Sequence, residues 1–263
     1  MTGGRGSFSD LATRILTGVA VAAVGLGAVW AGYPWFTFLV AGIVGVLVWE
    51  LARMLDGQFG ASLGLGLMGG AILLGAKLAP AGIGLPFLFL PGLAGLGLLQ
   101  GNRTLFLVVT TLIMLASFGL ITHRDTFGVT WMLWLVLVVM VTDIGGYFAG
   151  RALGGPKFWP RVSPKKTWSG TVAGWVAAGL VGWAFTAFTE AGMELIGISV
   201  ALSMASQMGD IAESAVKRRA GVKDSSALLP GHGGLWDRFD GMLGASLLLL
   251  VVESLTEFPS VTA

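Results

Sequence analysis

Nine runs of mostly apolar residues account for most of the chain, at roughly 15–32, 35–49, 61–76, 83–99, 104–121, 129–150, 170–189, 194–216 and 240–258. A helix needs about 20 such residues to cross roughly 30 Å of hydrocarbon. Lipid offers no water to backbone N–H and C=O groups, so segments of this kind resolve into helices. The expected fold class is therefore all-α: a polytopic membrane helix bundle of about nine transmembrane helices. The first run follows Arg14 and has the look of a signal peptide, but a second apolar run follows almost at once with no polar domain to export, so it reads as a helix. Only 11% of the 263 residues are charged, against roughly a quarter in a soluble domain. Glycine, 42 residues, is about twice its usual share, as suits helices that touch closely in lipid. Gly66 with Gly70 and Gly170 with Gly174 have the spacing for such contacts.

Nine crossings put alternate connections on opposite sides, and the basic residues choose between the sides. Arg5, Arg14, Arg53, Arg103, Arg151, Lys157, Arg161, Lys165, Lys166, Lys217, Arg218, Arg219, Lys223 and Arg238 fall on one side, and only Lys77 and Arg124 on the other. The expectation is a cytoplasmic amino terminus and an external carboxyl terminus. Tyr33, Trp35, Trp131 and Trp134 then lie near outer boundaries, where amphipathic rings anchor. A formal charge of +2 gives no footprint for nucleic acid. The absence of cysteine removes disulfides, thiolate metal sites and thiol nucleophiles. No internal repeat of the inverted-transporter kind is visible.

Polar chemistry concentrates between Asp143 and Asp240. This divides the chain into a scaffold, residues 1–128, and a catalytic region, 129–263, whose site faces the cytoplasm. One connection carries Ser163, Pro164, Lys165, Lys166, Thr167 and Ser169, with Pro164 favouring an extended entry. Adjacent ammonium and hydroxyl groups suit phosphate, although topology alone also explains two lysines. The next carries Asp210, Glu213, Ser214, Lys217 and Arg218, whose first, second, third and fourth members share a helix face. Lys223, Asp224 and the run Pro230 to Asp240 follow. There Gly231, His232, Gly233 and Gly234 permit a sharp return, an anion-binding nest or simply a turn.

Asp143 precedes Arg151 by eight residues and Asp210 precedes Lys217 by seven, placing each acid about 10–12 Å beneath a basic collar. Acids at that depth need a cation. Arg238, Lys217 or Arg218 could provide it, as could protonation of one acid. Hard oxygen ligands without thiolates or clustered histidines favour magnesium, and a nucleotide is its natural partner. The chemistry these residues suit is phosphate transfer at the inner membrane face.

Ser214-Ala-Val-Lys217-Arg218, Lys223-Asp224 and Pro230-Gly-His232-Gly-Gly234-Leu-Trp-Asp237-Arg238-Phe-Asp240 together resemble the signature of the phosphatidate cytidylyltransferases, or CDP-diacylglycerol synthases. Asp143-Ile-Gly-Gly-Tyr-Phe-Ala-Gly150 and Ser163-Pro-Lys-Lys-Thr167 are similar to that family's upstream elements. Ser169 departs from the pattern where Gln or Glu is common, and Gly241 where Ser often follows.

The resemblance implies CTP and phosphatidic acid as substrates, CDP-diacylglycerol and pyrophosphate as products, magnesium, a second monovalent or divalent cation, and a homodimer among membrane lipids. It implies Asp210, Asp237 and Asp240 as metal ligands, with Glu213 a weaker fourth and Asp143 in support. Lys217 and Arg218 would then stabilise charge on the transferring group. Ser163, Lys165, Lys166, Thr167, Ser214, Lys223, His232, Gly233, Gly234 and Arg238 would contact substrate, Arg238 alternatively pairing with a buried Asp. His232 fits a structural partner in the return better than a general base. An ion or substrate transporter and a CTP-dependent lipid kinase are the competing readings. Without an organelle leader, the expected location is a bacterial cytoplasmic (inner) membrane.

Overall fold

A computed structural model describes residues 5–80, 82–229, 233–256 and Phe258, with side chains from Leu16 onward. The elements are α1 (Arg5–Ala31), α2 (Trp35–Asp56), α3 (Phe59–Leu78), α4 (Gly84–Phe87), α5 (Leu90–Leu98), α6 (Arg103–Leu153), β1 (Lys157–Trp159), β2 (Ser163–Thr167), α7 (Trp168–Thr186), α8 (Glu194–Arg219) and α9 (Trp236–Leu255). The protein is an all-α membrane protein that carries, among the described residues, one small hairpin. Among the described residues, α2, α3, α6 and α8 are each long and apolar enough to cross a bilayer.

Two of the expected spans take an unexpected form. The fourth, 83–99, is two short helices, α4 and α5, separated at Leu88–Phe89. Pro91 lies in the first turn of α5, where its missing N–H costs nothing, whereas inside a continuous helix it would remove a hydrogen bond and clash. Conversely, the fifth and sixth spans run together in α6, whose 51 residues would reach about 76 Å if straight. Gly128, at φ 82° and ψ −167°, interrupts that helix between the two expected segments.

The chain forms two compact units. The first extends to Met114 and includes Val222–Arg238; the second comprises Leu115–Gly221 and the chain from Phe239. In the first unit α3 packs along α2 and also meets α4 and α5. The expected glycine contact is present there. A Cβ on Gly66 would lie 2.5 Å from the Gly45 carbonyl oxygen and 2.9 Å from Trp49 Cβ, and one on Gly70 would lie 2.9 Å from the Ala41 oxygen. Val44, Leu47, Val48 and Leu51 of α2 and Leu65 and Leu73 of α3 are wholly buried.

In the second unit α7 packs on α8. Gly170 comes against Gly146 and Gly150 of α6, and a Cβ on Gly174 would lie 2.8 Å from Gln207 Nε2. β1 and β2 pair antiparallel, Lys157 opposite Thr167 and Trp159 opposite Ser163, which gives Pro164 its extended backbone. Thr167 caps α7 by accepting from Gly170 N at 3.2 Å. Trp134, expected as an interfacial anchor, is instead wholly buried: its indole N–H donates to Ser199 Oγ at 3.0 Å, and its ring meets Trp131 and Phe258. Tyr33 and Trp35 are exposed, as anchors should be.

The α2–α3 contact has no room for a methyl group. Gly66→Ala should destabilise the protein by about 1–3 kcal/mol, read as a lower midpoint in a thermal unfolding curve of detergent-solubilised protein. Gly64→Ala, which meets nothing within 4 Å, should leave the midpoint unchanged or raise it.

Candidate active site

The site begins with a backbone approach inside the second unit. Gly209 of α8 lies against the Asp240 carbonyl, and a Cβ on Gly244 would come within 3.0 Å of Gly209 Cα. Two glycines therefore allow α8 and α9 to touch just where α8 carries Asp210 and Glu213. Asp210, Glu213 and Asp240 each offer a carboxylate oxygen, and these oxygens all lie within 4.8 Å of one another. Glu213 is buried, and Asp210 and Asp240 are half-buried.

Two ionised carboxylates at such a separation repel by about 3–4 kcal/mol at an effective dielectric of 20, so cations must be close. Lys166 Nζ, from β2, sits 2.6 Å from Asp210 Oδ2 and donates to the Gln207 carbonyl at 3.4 Å. Lys217, one helical turn beyond Glu213, pairs with it at 2.7 Å. The sequence offered Arg238, Lys217 and Arg218 as partners for Asp143 and Asp210; Asp210 is taken instead by Lys166 from another element, and Lys217 pairs with Glu213. Three convergent hard oxygens fit a divalent cation.

Beside these acids, a cleft of about 660 Å³ runs between α6, the hairpin, α7 and α8, within the roughly 300–1,000 Å³ typical of small-molecule sites. Its walls include Asp143, Tyr147 and Arg151 from α6, Lys157, Pro164, Lys165, Lys166 and Thr167 from the hairpin, and Gln207 and Asp210 from α8. Asp143 and Asp210, placed by sequence at similar depths, line this one space. Arg151 Nη1 donates to the Tyr147 hydroxyl at 3.0 Å, so both present polar ends there. Gln207 is held by Trp175 Nε1 at 3.0 Å and donates to the Thr171 carbonyl at 3.2 Å. Tyr147, Lys157 and Gln207 were not singled out from sequence; only their lining of a common wall identifies them.

The remaining expected residues separate by environment. Ser163 is half-buried on β2, and Ser214 donates to Asp210 Oδ1 at 3.4 Å. Arg218 and Lys223 are exposed, as is Arg238. Ser169 donates to the Gly154 carbonyl, tying the end of α6 to the start of α7. Gly241 leaves room for another hydroxyl, since a Cβ there would lie 2.6 Å from buried Ser206 Oγ. Pro230, Gly231 and His232 lie outside the described residues.

In the first unit the return before α9 is built on carboxylates. Asp237 Oδ2 accepts from Ser225 N at 3.0 Å, Ser225 Oγ at 2.9 Å and Gly234 N at 2.8 Å. Gly233 has φ 82°, and a Cβ on Gly234 would stand 2.6 Å from Glu50 Oε1. Here Gly234 donates its N–H to the protein's own carboxylate. Glu50 itself, wholly buried, was passed over because residues 1–100 hold so little polar chemistry. An acid directly following an apolar run was the signal that could have marked it.

A family model described as the cytidylyltransferase family matches residues 12–255. The chain belongs to this family. It is 34% identical over 258 residues to a phosphatidate cytidylyltransferase of Bacillus subtilis (strain 168), covering 89% of the chain and 94% of that protein. It is 46% identical over 147 residues to the phosphatidate cytidylyltransferase of Brucella suis biovar 1 (strain 1330). A Staphylococcus aureus (strain COL) protein of the same name is 40% identical over 132 residues. The matched stretch is 55% of this chain and 54% of the Brucella suis protein, so the chain spans about half the length of that relative.

The buried ion pair on α8 gives a test that needs no substrate. Lys217→Met removes the ammonium 2.7 Å from the buried Glu213 carboxylate and should cost about 3 kcal/mol. Glu213→Gln combined with Lys217→Met should recover most of that loss in thermal unfolding, because the buried negative charge is removed together with the ammonium that faced it.

Proposed function

We propose that this protein is a phosphatidate cytidylyltransferase, transferring CMP from CTP to phosphatidic acid to give CDP-diacylglycerol and pyrophosphate. The observation that carries the reading is the convergence of Asp210, Glu213 and Asp240 in a membrane protein of the cytidylyltransferase family. Relatives named for this reaction, and a cleft with lysine and arginine on its walls, support it.

A phosphate oxygen of phosphatidate attacks the α-phosphorus of CTP. The bond from that phosphorus to the oxygen bridging toward the β-phosphate breaks, and pyrophosphate leaves. The nucleophile is already an anion, so the residues act by positioning and by neutralising charge. Lys165, Lys166 and Lys157 hold phosphate from the hairpin side of the cleft, and Arg151 from α6. Lys217 and Arg218 stabilise charge on the transferring group, while Lys223 and Arg238 take the outer phosphates or the lipid headgroup. Ser163, Thr167, Ser214 and Gly233 complete the substrate contacts, whereas the Gly234 N–H is taken by Asp237.

Asp210, Glu213 and Asp240 would hold magnesium, which when bound neutralises triphosphate and the departing pyrophosphate. Asp237, three residues before Asp240 on α9, stays in the proposed ligand set, with Asp143 in support and a second cation alongside. We also place the amino terminus and the site in the cytoplasm, the carboxyl terminus outside, nine crossings in a bacterial inner membrane, and the protein as a homodimer. The weight of basic residues on one side supports this orientation.

Purified protein in phospholipid vesicles, given CTP labelled in the α-phosphate and phosphatidate, should place the label in lipid and release pyrophosphate. Release of CDP, with the γ-phosphate on lipid, would instead show a kinase. Chelation of divalent cations should abolish turnover. Asp210→Asn and Asp240→Asn should each lower kcat at least about 100-fold, with the helical circular dichroism spectrum retained. Normal rates in both variants would refute their metal role.

A further inference from the structure

Glu50 is a wholly buried acid on a helix that is apolar enough to span a membrane. A buried carboxylate persists only if its lone pairs are filled. The nearest cation along its own helix face, Arg53, is turned to the Gly57 carbonyl. The hydrogen bonds to Glu50 come instead from one distant stretch. Oε1 accepts from Ser226 Oγ at 2.6 Å and Leu235 N at 2.8 Å. Oε2 accepts from Trp236 N at 2.8 Å and Ser225 Oγ at 3.1 Å.

These donors have a common character. Leu235 N and Trp236 N open α9, where the first N–H groups of a helix lack intrahelical acceptors and favour an anion. Glu50 therefore caps α9 from another helix. The two serines begin the same return; the single Ser225 O–H stands within reach of both Glu50 Oε2 and Asp237 Oδ2 and donates to one of them at a time, while Asp237 Oδ2 also takes Ser225 N and Gly234 N. Gly234 has no room for a side chain, since a Cβ there would strike Ser225 Oγ and stand 2.6 Å from Glu50 Oε1. The whole return from Ser225 to Asp237, so far as it is described, is thus organised around two carboxylates, only one of which it carries itself. The other end of this clamp sits 175 residues earlier in the chain.

We propose that Glu50 is a positioning residue for the transfer reaction: it fixes the return and the first turn of α9, the helix that presents Asp240 one turn on. The proposal rests on the reaction proposed above. It assigns a part in turnover to the apolar amino-terminal third of the chain.

The test uses the full chain in lipid nanodiscs with CTP and phosphatidate. Glu50→Gln keeps the shape but turns an amide donor toward a backbone N–H, and hydrogen bonds to a charged acceptor are strong enough for about a tenfold effect. The variant should lose about tenfold in kcat and about tenfold in hydrogen-exchange protection of peptides spanning 225–236. Peptides from α3, α7 and α8 should keep theirs. Ser226→Ala, a milder change, should lower kcat by less, and should add no further loss in the Glu50→Gln background. Glu50→Asp, which keeps both anionic oxygens, should recover part of the rate lost in Glu50→Gln.

Unchanged exchange across 225–236, protection lost uniformly across all helices, or fully additive effects of the two substitutions would each overturn the proposal. If the unsubstituted protein makes no CDP-diacylglycerol, the proposed reaction fails. The exchange pattern then still decides whether Glu50 clamps the return.

Discussion

Carboxylates held among apolar helices impose the strictest condition on this molecule. Each must find donors or cations within the fold, because lipid supplies neither. The protein meets the condition in two different ways. Glu50 and Asp237 are satisfied by backbone N–H and serine hydroxyl groups. Asp210 and Glu213 are satisfied by lysines. The first arrangement is closed and suits architecture. The second places three acids and two lysines beside a cleft.

Glycine makes both arrangements possible by permitting proximity. Gly209 and Gly244 bring α8 to α9, and Gly66 and Gly70 bring α3 to α2. At Gly234 the lack of a side chain opens space for Glu50. The high glycine content reads as general helix packing in a membrane. In the folded chain it also sets how close the acids can come.

Much of the architecture was visible beforehand. The apolar runs located every long helix, Gly128 fell between two expected spans, and Pro164 announced the extended strand that became β2. Asp210 and Glu213 were legible because helical spacing puts them on one face, and Asp240 because of its motif. Other features were hidden for identifiable reasons. The prolines that divide the fourth span are compatible with a helix start and give no warning of where the break falls. Trp134 has the composition of an anchor, and its burial follows from Ser199, which lies 65 residues away. Lys166 is one of two adjacent lysines, and nothing local says which reaches Asp210.

Periodicity and charge placement by themselves determined that the chain is a bundle of membrane helices with its reactive groups gathered toward one end of the sequence, because hydrophobic length and helical repeat are local properties. Which acids converge and which accept from a loop was decided only by tertiary structure. Asp237 and Asp240 stand three residues apart on one helix, yet one is filled by the backbone of a return and the other joins Asp210 and Glu213. Their partners come from distant parts of the chain, and no local pattern encodes that distance.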